Sequence, residues 1–217
     1  AKKSLIHISP RTGLPDSIIL DGKQLLVQPM RWNFWRPLTD NDEGWKVDKK
    51  LGAWRDAGGR AEVQSLNLDR DEHMGRVVRA VVAIPSPPVR ITVTHAFPQG
   101  ELIATRVRFE IVDGQPVPDL PRLGVQFATA RSYDRVAWYG RGPHENYWDR
   151  HTSAPIGRYE SMVTDWVTPY VRPQENANRW DVRWLRLTDQ RGHGLQVHAR
   201  GEHPLSVSAW PYSMDDL

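Results

Sequence analysis

The chain has 217 residues, 39% of them hydrophobic, with a formal charge of +3 and no cysteine. That length is enough for one sizeable core, and the lack of cysteine removes disulfides, thiolate nucleophiles and cysteine-ligated zinc together. No run approaches the roughly 18 apolar residues that a membrane-spanning helix needs.

The positive charge does not imply nucleic-acid binding, because a protein that tracks a phosphate backbone concentrates its basic residues. Here they are scattered, and the only adjacent lysines are Lys2-Lys3 and Lys49-Lys50. Ala1 to Pro10 lacks the basic-then-apolar order of a secretory leader, but a sequence that starts without Met does not decide the compartment by this; the cytoplasm is the expectation, with the periplasm and secretion as the open alternatives. Ten tryptophans are present. Flat aromatic surface suits the C–H face of a sugar ring, although for any single Trp packing in a β core is the stronger reading.

Taken in order, the chain predicts strands near 4–8, 17–20 and 24–28. One helix follows: Asp42 is placed to cap it, Val47, Leu51 and Trp54 share a face, and Gly58 or Gly59 can end it. Strands are next expected near 61–69 and 76–84. In Val89 to Phe97, the residues Val89, Ile91, Val93, His95 and Phe97 share one face. In Leu102 to Val112, Ile103, Thr105, Val107, Phe109 and Ile111 do the same, opposite Arg106, Arg108 and Glu110. Both read as half-buried antiparallel strands, joined through Pro98-Gln99-Gly100. Further strands are predicted near 122–130, 134–139, 180–188, 194–200 and 205–210. Between Trp180 and Leu187 the alternation slips by one residue, which predicts a β-bulge. Pro and Gly cluster at 85–88, 113–121 and 140–143, as short links between strands. No repeat or interdomain linker is evident, so the expectation is one large antiparallel sandwich domain over 1–217.

Three polar stretches studded with aromatics stand apart from these strands. They are Asn33-Phe34-Trp35-Arg36-Pro37-Leu38-Thr39-Asp40-Asn41-Asp42-Glu43-Gly44, Trp138 to Arg150 (reading Trp-Tyr-Gly-Arg-Gly-Pro-His-Glu-Asn-Tyr-Trp-Asp-Arg), and Thr168 to Arg179 (reading Thr-Pro-Tyr-Val-Arg-Pro-Gln-Glu-Asn-Ala-Asn-Arg). In this order they resemble the signature segments of the C-terminal, small-chain β-sandwich domain of family 2 β-galactosidases: N-F-W-R-A-P-T-D-N-D-x-G, Y-G-R-G-P-x-E-N-Y-x-D-R and P-Y-V-x-P-Q-E-N-G-N-R. The resemblance covers essentially the whole chain. Pro37-Leu38 departs from the family's Ala-Pro, Trp148 stands where Pro is common, and Ala177 stands where Gly is common. The last departure predicts that residue 177 does not need a positive φ.

The resemblance implies an all-β fold, a large two-sheet antiparallel supersandwich like that of galactose mutarotases. It also implies that the sandwich is incomplete. Beyond the stretch matched by Ser208-Ala209-Trp210-Pro211-Tyr212, the family continues into a Gly-Asp-Asp-Ser-Trp segment whose Trp helps line the galactose pocket.

A retaining glycosidase needs two carboxyl groups about 5–5.5 Å apart. In this family both glutamates lie on a separate (β/α)8 barrel, and no barrel pattern is present here, so no catalytic residue is assigned to this chain. Within it, Asp40 with Asp42 and Glu145 with Asp149 are the densest acidic candidates. If Asp40 and Asp42 lay on a strand they would share a face, but a capped loop bonded to backbone N–H groups and arginine is the stronger reading. An EF-hand would need Gly at its sixth and Glu at its twelfth position. Those are Trp45 and Leu51, and no His pair has zinc spacing. His193 and His198 flank a strand start and are expected to be exposed.

Mutarotases use a His and a Glu for proton shuttling, which singles out His144 and Glu145. As adjacent residues they could serve one site only in a loop. The resemblance places Gln99, Gly100, Glu101, His144 and Glu145 as candidate pocket-rim residues. For His144 and Glu145 a structural place is the stronger reading, and a structural network is read in Arg36, Asp40, Asn41 and Asp42, and in Glu145, Asn146 and Arg150 with Glu175, Asn176 and Arg179. No cofactor or metal is expected in this chain, the Mg2+ and Na+ of family enzymes being held elsewhere. The implied partners are the rest of a β-galactosidase, in one chain or in a partner subunit, a β-galactoside substrate, and further copies in a homo-oligomer. A stand-alone carbohydrate-binding module and a mutarotase-like epimerase are the competing readings.

Overall fold

The structure is a computed structural model that describes residues 4–98, 103–112, 114 and 116–217. It is all-β, built from open antiparallel sheets. Two compact units are distinguished: Ala1–Arg36 with Asp42–Thr129, and Pro37–Asn41 with Ala130–Leu217. Among the described residues no helix is long and apolar enough to cross a membrane.

In the first unit, β1 (Ser4–Ile8), β2 (Pro15–Leu20) and β3 (Lys23–Gln24) form one small sheet, and β4 (Leu26–Asn33) pairs across the unit with a late strand. The chain then runs through α1 (Asp40–Gly44), α2 (Val47–Lys50) and two short 3-10 turns, Gly52–Trp54 and Ala57–Arg60. The single helix expected here is thus broken. Lys46 sits at φ 59, in the left-handed region that ends a right-handed helix, and Gly52 opens a 3-10 turn. The apolar face was nevertheless legible, since Val47, Leu51 and Trp54 are all buried. Asp42 lies inside α1 and not at a cap, its carboxylate accepting from Arg36 Nη2 at 2.8 Å.

β5 (Glu62–Asp71), β6 (Gly75–Ile84), β7 (Val89–Phe97) and β8 (Ala104–Ile111) form a four-stranded sheet in chain order. β9 (Gly124–Thr129) pairs with β4. The face read from alternation is in register: Val89 opposes Ile111, Ile91 opposes Phe109, Val93 opposes Val107 and His95 opposes Thr105. Val89, Ile91, Val93 and His95 are buried in the central strand, whereas Val107 and Ile111 on the edge strand remain exposed. Gln99 and Gly100 of the expected connection, with Glu101, lie outside the described residues.

One brace holds the loop before β2 onto this sheet. Gly13 has φ +69, and a Cβ there would lie 2.8 Å from the Ala80 Cβ, so the backbone presses directly on β6. The Gly13 carbonyl meets His95 Nε2 at 2.7 Å, and His95 Nδ1 meets the Thr105 hydroxyl at 2.9 Å. A neutral ring with its proton on Nε2 satisfies both contacts. Trp32, Phe34, Trp54 and Phe109 form an aromatic cluster beside it, with centroids 5.8–6.5 Å apart.

In the second unit, β10 (Arg135–Arg141), β11 (Ile156–Met162), β12 (Asn178–Val182), β13 (Trp184–Thr188), β14 (Gly194–His198) and β15 (Leu205–Ser208) form two sheets, ordered β11-β10-β13-β14 and β12-β15. β11 escaped the sequence reading because its half-buried positions are Gly157, Tyr159 and Ser161. These give no apolar alternation. The slip expected between Trp180 and Leu187 is real but larger than a bulge. The β12 register shifts between Arg179 and Val182, and the chain then passes to another sheet at Arg183. Asp181 at φ 62 makes that turn, and its carboxylate pairs with Arg183 at 3.1 Å. Gly140 of β10 lets it pass, since a Cβ there would fall 2.8 Å from the Val182 Cα. His198 ends β14 and is exposed, as is His193 beside it.

Burial lowers the His95 pKa below the 6.5 of a free imidazole, partly offset by the Gly13 carbonyl. The unfolded chain therefore takes up a proton near pH 6.5 that the folded ring refuses. This ring's contribution is intact above pH 6.5 and is lost as pH falls toward the lowered folded-state value. Urea unfolding between pH 7.5 and 5.5 is expected to show stability falling by up to about 1.4 kcal/mol per pH unit. A His95→Gln variant should lose that component of the slope; an unchanged slope would contradict the brace.

Candidate functional site

In the second unit one carboxylate, Glu145, gathers two segments of the chain, and of the other polar residues singled out between 144 and 179 it bonds to Arg150. Glu145 follows β10 in an irregular segment, and its side chain is 8% exposed. Oε1 accepts from Arg150 Nη2 at 2.6 Å and from the Tyr170 hydroxyl at 2.6 Å. Oε2 accepts from the Thr168 hydroxyl at 2.8 Å and from the Ala177 backbone N–H at 2.7 Å. A carboxylate has about four lone-pair sites. Here four donors fill them.

The next residue completes the clasp. Asn146 is fully buried and donates from Nδ2 to the His144 carbonyl at 2.8 Å. Its Oδ1 accepts from the Trp180 N–H at 2.8 Å, and its backbone N–H donates to the Asn178 carbonyl at 3.0 Å. Asn178 Nδ2 donates back to the Asn146 carbonyl at 2.8 Å. Two segments, 144–150 and 168–180, are thereby zipped through side chains where no regular strand pairing exists. Buried polar groups require this degree of satisfaction.

Ala177 sits at φ 64 and is fully buried, which corrects the expectation that this position does without a positive φ. The left-handed backbone is the conformation in which its N–H reaches Glu145. An alanine bears it because the surroundings over-determine the position.

Beneath the clasp lies the unit's aromatic core. Trp138 and Trp166 meet edge to face at 4.9 Å, and Tyr159 adds a third ring at 5.2 Å from Trp138. Arg179, 3% exposed, places its guanidinium 4.5 Å from the Trp166 centroid and 5.4 Å from that of Trp138. Burial pulls its pKa down to about 10, against the opposing pull of Glu145 and Tyr147. The group stays cationic at neutral pH, held by π-faces and by the Asn178 carbonyl at 3.2 Å. The Tyr147 phenol is pushed up, by burial first and then by the charges of Glu175 and Glu145. Tyr170 is raised in the same way, by burial and by its bond to Glu145.

A cleft of about 290 Å3 opens beside this cluster, lined by Val167, Thr168, Tyr170, Asn176, Tyr212 and Asp216 among others. Neither Glu145 nor Glu175 lines it. The Asp216 carboxylate accepts from the Ser213 hydroxyl at 2.7 Å and its N–H at 2.8 Å, which lowers its pKa.

The other predicted residues fall as follows. His144 is exposed and meets Ser153 Oγ at 3.1 Å. Glu175 and Asn176 are buried, Asn176 donating to the Gln174 carbonyl at 2.9 Å and accepting at its carbonyl from Trp210 Nε1 at 3.2 Å. Asp40 is exposed, 3.8 Å from Arg172 and 3.4 Å from Gln174 Nε2. Asn41 is exposed in α1. Asp40 and Asp42 occupy a helical turn, so their spacing no longer gives the shared face of a strand. Sequence reasoning missed Thr168, Tyr170 and Asn178 as members of the network, though all lie in the third signature stretch. Nothing in local pattern marked Trp166, and Tyr212 entered only as the end of a stretch matched by resemblance.

The molecule is thus an all-β chain of open antiparallel sheets, with a small cleft beside a saturated ion cluster. Over residues 1–217 it matches the family described as "Beta galactosidase small chain", and the chain belongs to that family. It is 33% identical over 195 residues to a protein named beta-galactosidase from Priestia megaterium, covering 89% of this chain and 18% of that one. Similar relations hold to beta-galactosidases of Halalkalibacterium halodurans, 32% over 216 residues with 98% and 21% covered, and Lactobacillus delbrueckii subsp. bulgaricus, 33% over 208 residues with 96% and 20% covered. The chain spans about one fifth of the length of these curated relatives.

Glu145→Gln keeps the shape but puts an NH2 group where one oxygen was, so that it faces either the Arg150 guanidinium or the Ala177 N–H, each able only to donate. Breaking a buried charged hydrogen-bond set of this kind costs about 2–4 kcal/mol, to be read as a lower urea midpoint. Thr168→Val, which removes one donor of four, should cost about 1 kcal/mol.

Proposed function

We propose that residues 1–217 act as a non-catalytic β-sandwich module of a family 2 β-galactosidase. The module supports hydrolysis of terminal β-galactosides, lactose among them, by a separate (β/α)8 barrel. The observation that carries this reading is the state of Glu145. Its four accepting sites are filled by neighbours in its own chain, so it has no lone pair to offer as nucleophile or base. A retaining mechanism needs a matched pair of available carboxyl groups, and the cleft is lined by Asp216 and not by Glu145 or Glu175.

In this reading the supersandwich packs beside the barrel, and Gln99, Gly100 and Glu101 approach the pocket rim, with His144 near it. The Mg2+ and Na+ of the family belong to sites in the rest of the enzyme. The rest of the β-galactosidase is the partner, and a cytoplasmic homo-oligomer is the expected state.

One observation favours a second reading, a carbohydrate-binding module: Tyr170 and Tyr212 both line the cleft, with Asn176 and Gln174 as polar partners. Calorimetric titration with galactose and lactose decides it, since undetectable binding at millimolar sugar removes it.

The main proposal is tested by expressing these residues alone and assaying a chromogenic β-galactoside. No turnover above buffer is expected. In the full-length polypeptide, Glu145→Gln, confirmed folded by circular dichroism, should keep its rate within about tenfold, where loss of a general acid costs about 10²–10⁴. Turnover by the isolated chain that a substitution within it abolishes would overturn the assignment.

A further inference from the structure

The elaborate clasp around Glu145 performs no chemistry in the function just argued, yet it fixes two loops that carry exposed apolar side chains. Trp148 is 70% exposed, and Val171 is fully exposed. Trp148 and Asp149 form the tip of a tight turn closed by reciprocal bonds, from the Tyr147 N–H to the Arg150 carbonyl at 3.0 Å and from the Arg150 N–H to the Tyr147 carbonyl at 3.1 Å. The Arg150 side chain holds this turn three ways. It pairs with Glu145 at 2.6 Å, reaches the Tyr170 hydroxyl at 3.3 Å, and lies 5.3 Å over the Tyr147 ring. Tyr170 is bonded to the same carboxylate and directly precedes Val171.

A tryptophan carried on a rigid turn has its backbone ordered before association, so only its two side-chain torsions remain to be fixed. That preorganisation, with a large apolar area, is the profile of an interface hot spot. We infer that Trp148 and Val171 form a two-pronged docking point for another part of the same β-galactosidase polypeptide, with the Trp148 indole entering an apolar pocket there. The inference rests on the functional reading above, and the chain's share of its relatives, 18% and 21% of their lengths, leaves most of such a polypeptide available as the occupant.

Two features favour a protein pocket over a saccharide. The clasp's own polar groups, Glu145 and Tyr170, are bonded to each other and to Arg150, which leaves Asp149 and the outer edge of Arg150 as the exposed polar groups beside the indole. Val171 offers only aliphatic surface. Trp and Arg are residue types enriched in the centres of protein interfaces, and here Arg150 stands next to the tip.

Hydroxyl-radical footprinting of the full-length wild-type polypeptide, read by mass spectrometry at Trp148, tests the proposal. Trp148 is expected to oxidise at least about fivefold more slowly than free tryptophan, as a residue buried in an interface core does. A smaller protection overturns the proposal. So does protection that arises only on adding galactose or lactose, which would assign the indole to sugar. A Trp148→Asp variant that sediments as single polypeptides where the wild type is an oligomer would assign the knob to a second copy, and overturns it too. Hydrolysis of a chromogenic β-galactoside is measured on the same sample. An inactive protein sinks the functional reading whatever the footprint, and an active one with exposed Trp148 sinks this inference alone.

Discussion

A carboxylate withdrawn from water must recover its hydration from the protein, and the second unit is organised around that demand at Glu145. Two hydroxyls, a guanidinium and a backbone N–H fill its lone pairs. Each donor comes with a structural consequence. The Ala177 N–H fixes a left-handed residue, Tyr170 and Thr168 bring in the second segment, and Arg150 closes the Trp148 turn. Removing water raises the strength of each bond and also the penalty for any bond left unmade. The irregular segments are therefore as determined as the strands, without the pairing of a sheet.

The first unit solves a similar problem with a neutral group. His95 sits in the middle of an apolar sheet face, and its two nitrogens are taken up by a loop carbonyl and a cross-strand hydroxyl. Burial disfavours the charged ring, so the brace works as a neutral donor and acceptor. A charged residue there would have required a partner that the surrounding valines and isoleucines do not provide. Both units thus use one buried polar hub to hold loops that hydrophobic packing alone would leave undirected.

Strand positions were largely readable from the sequence wherever one face was apolar and the other polar. Val89 to Phe97 and its partner strand show this, because period-two alternation is a direct image of a half-buried sheet. The reading failed where that image is missing. β11 turns only the half-buried Gly157, Tyr159 and Ser161 inward, and the helical stretch after Asp40 is broken at Lys46 and Gly52 although its buried face is periodic. Ala177 failed for a related reason. Residue type is a prior on backbone angle, and a strong tertiary hydrogen bond outweighs a steric preference of about 1–2 kcal/mol.

By itself the sequence determined the all-β class, most strands, the three signature stretches, and which polar residues were candidates for a network. These follow from local periodicity and residue order, which a one-dimensional string carries in full. Only the tertiary structure decided which donor meets which acceptor: that Thr168 and Tyr170 turn to Glu145, that Arg179 lies on Trp166 and Trp138, and that Trp148 faces outward. Such pairings join residues well separated along the chain, Glu145 with Thr168 and Tyr170, and Arg179 with Trp138. Their geometry is set by where the strands between them run, so no local pattern records it.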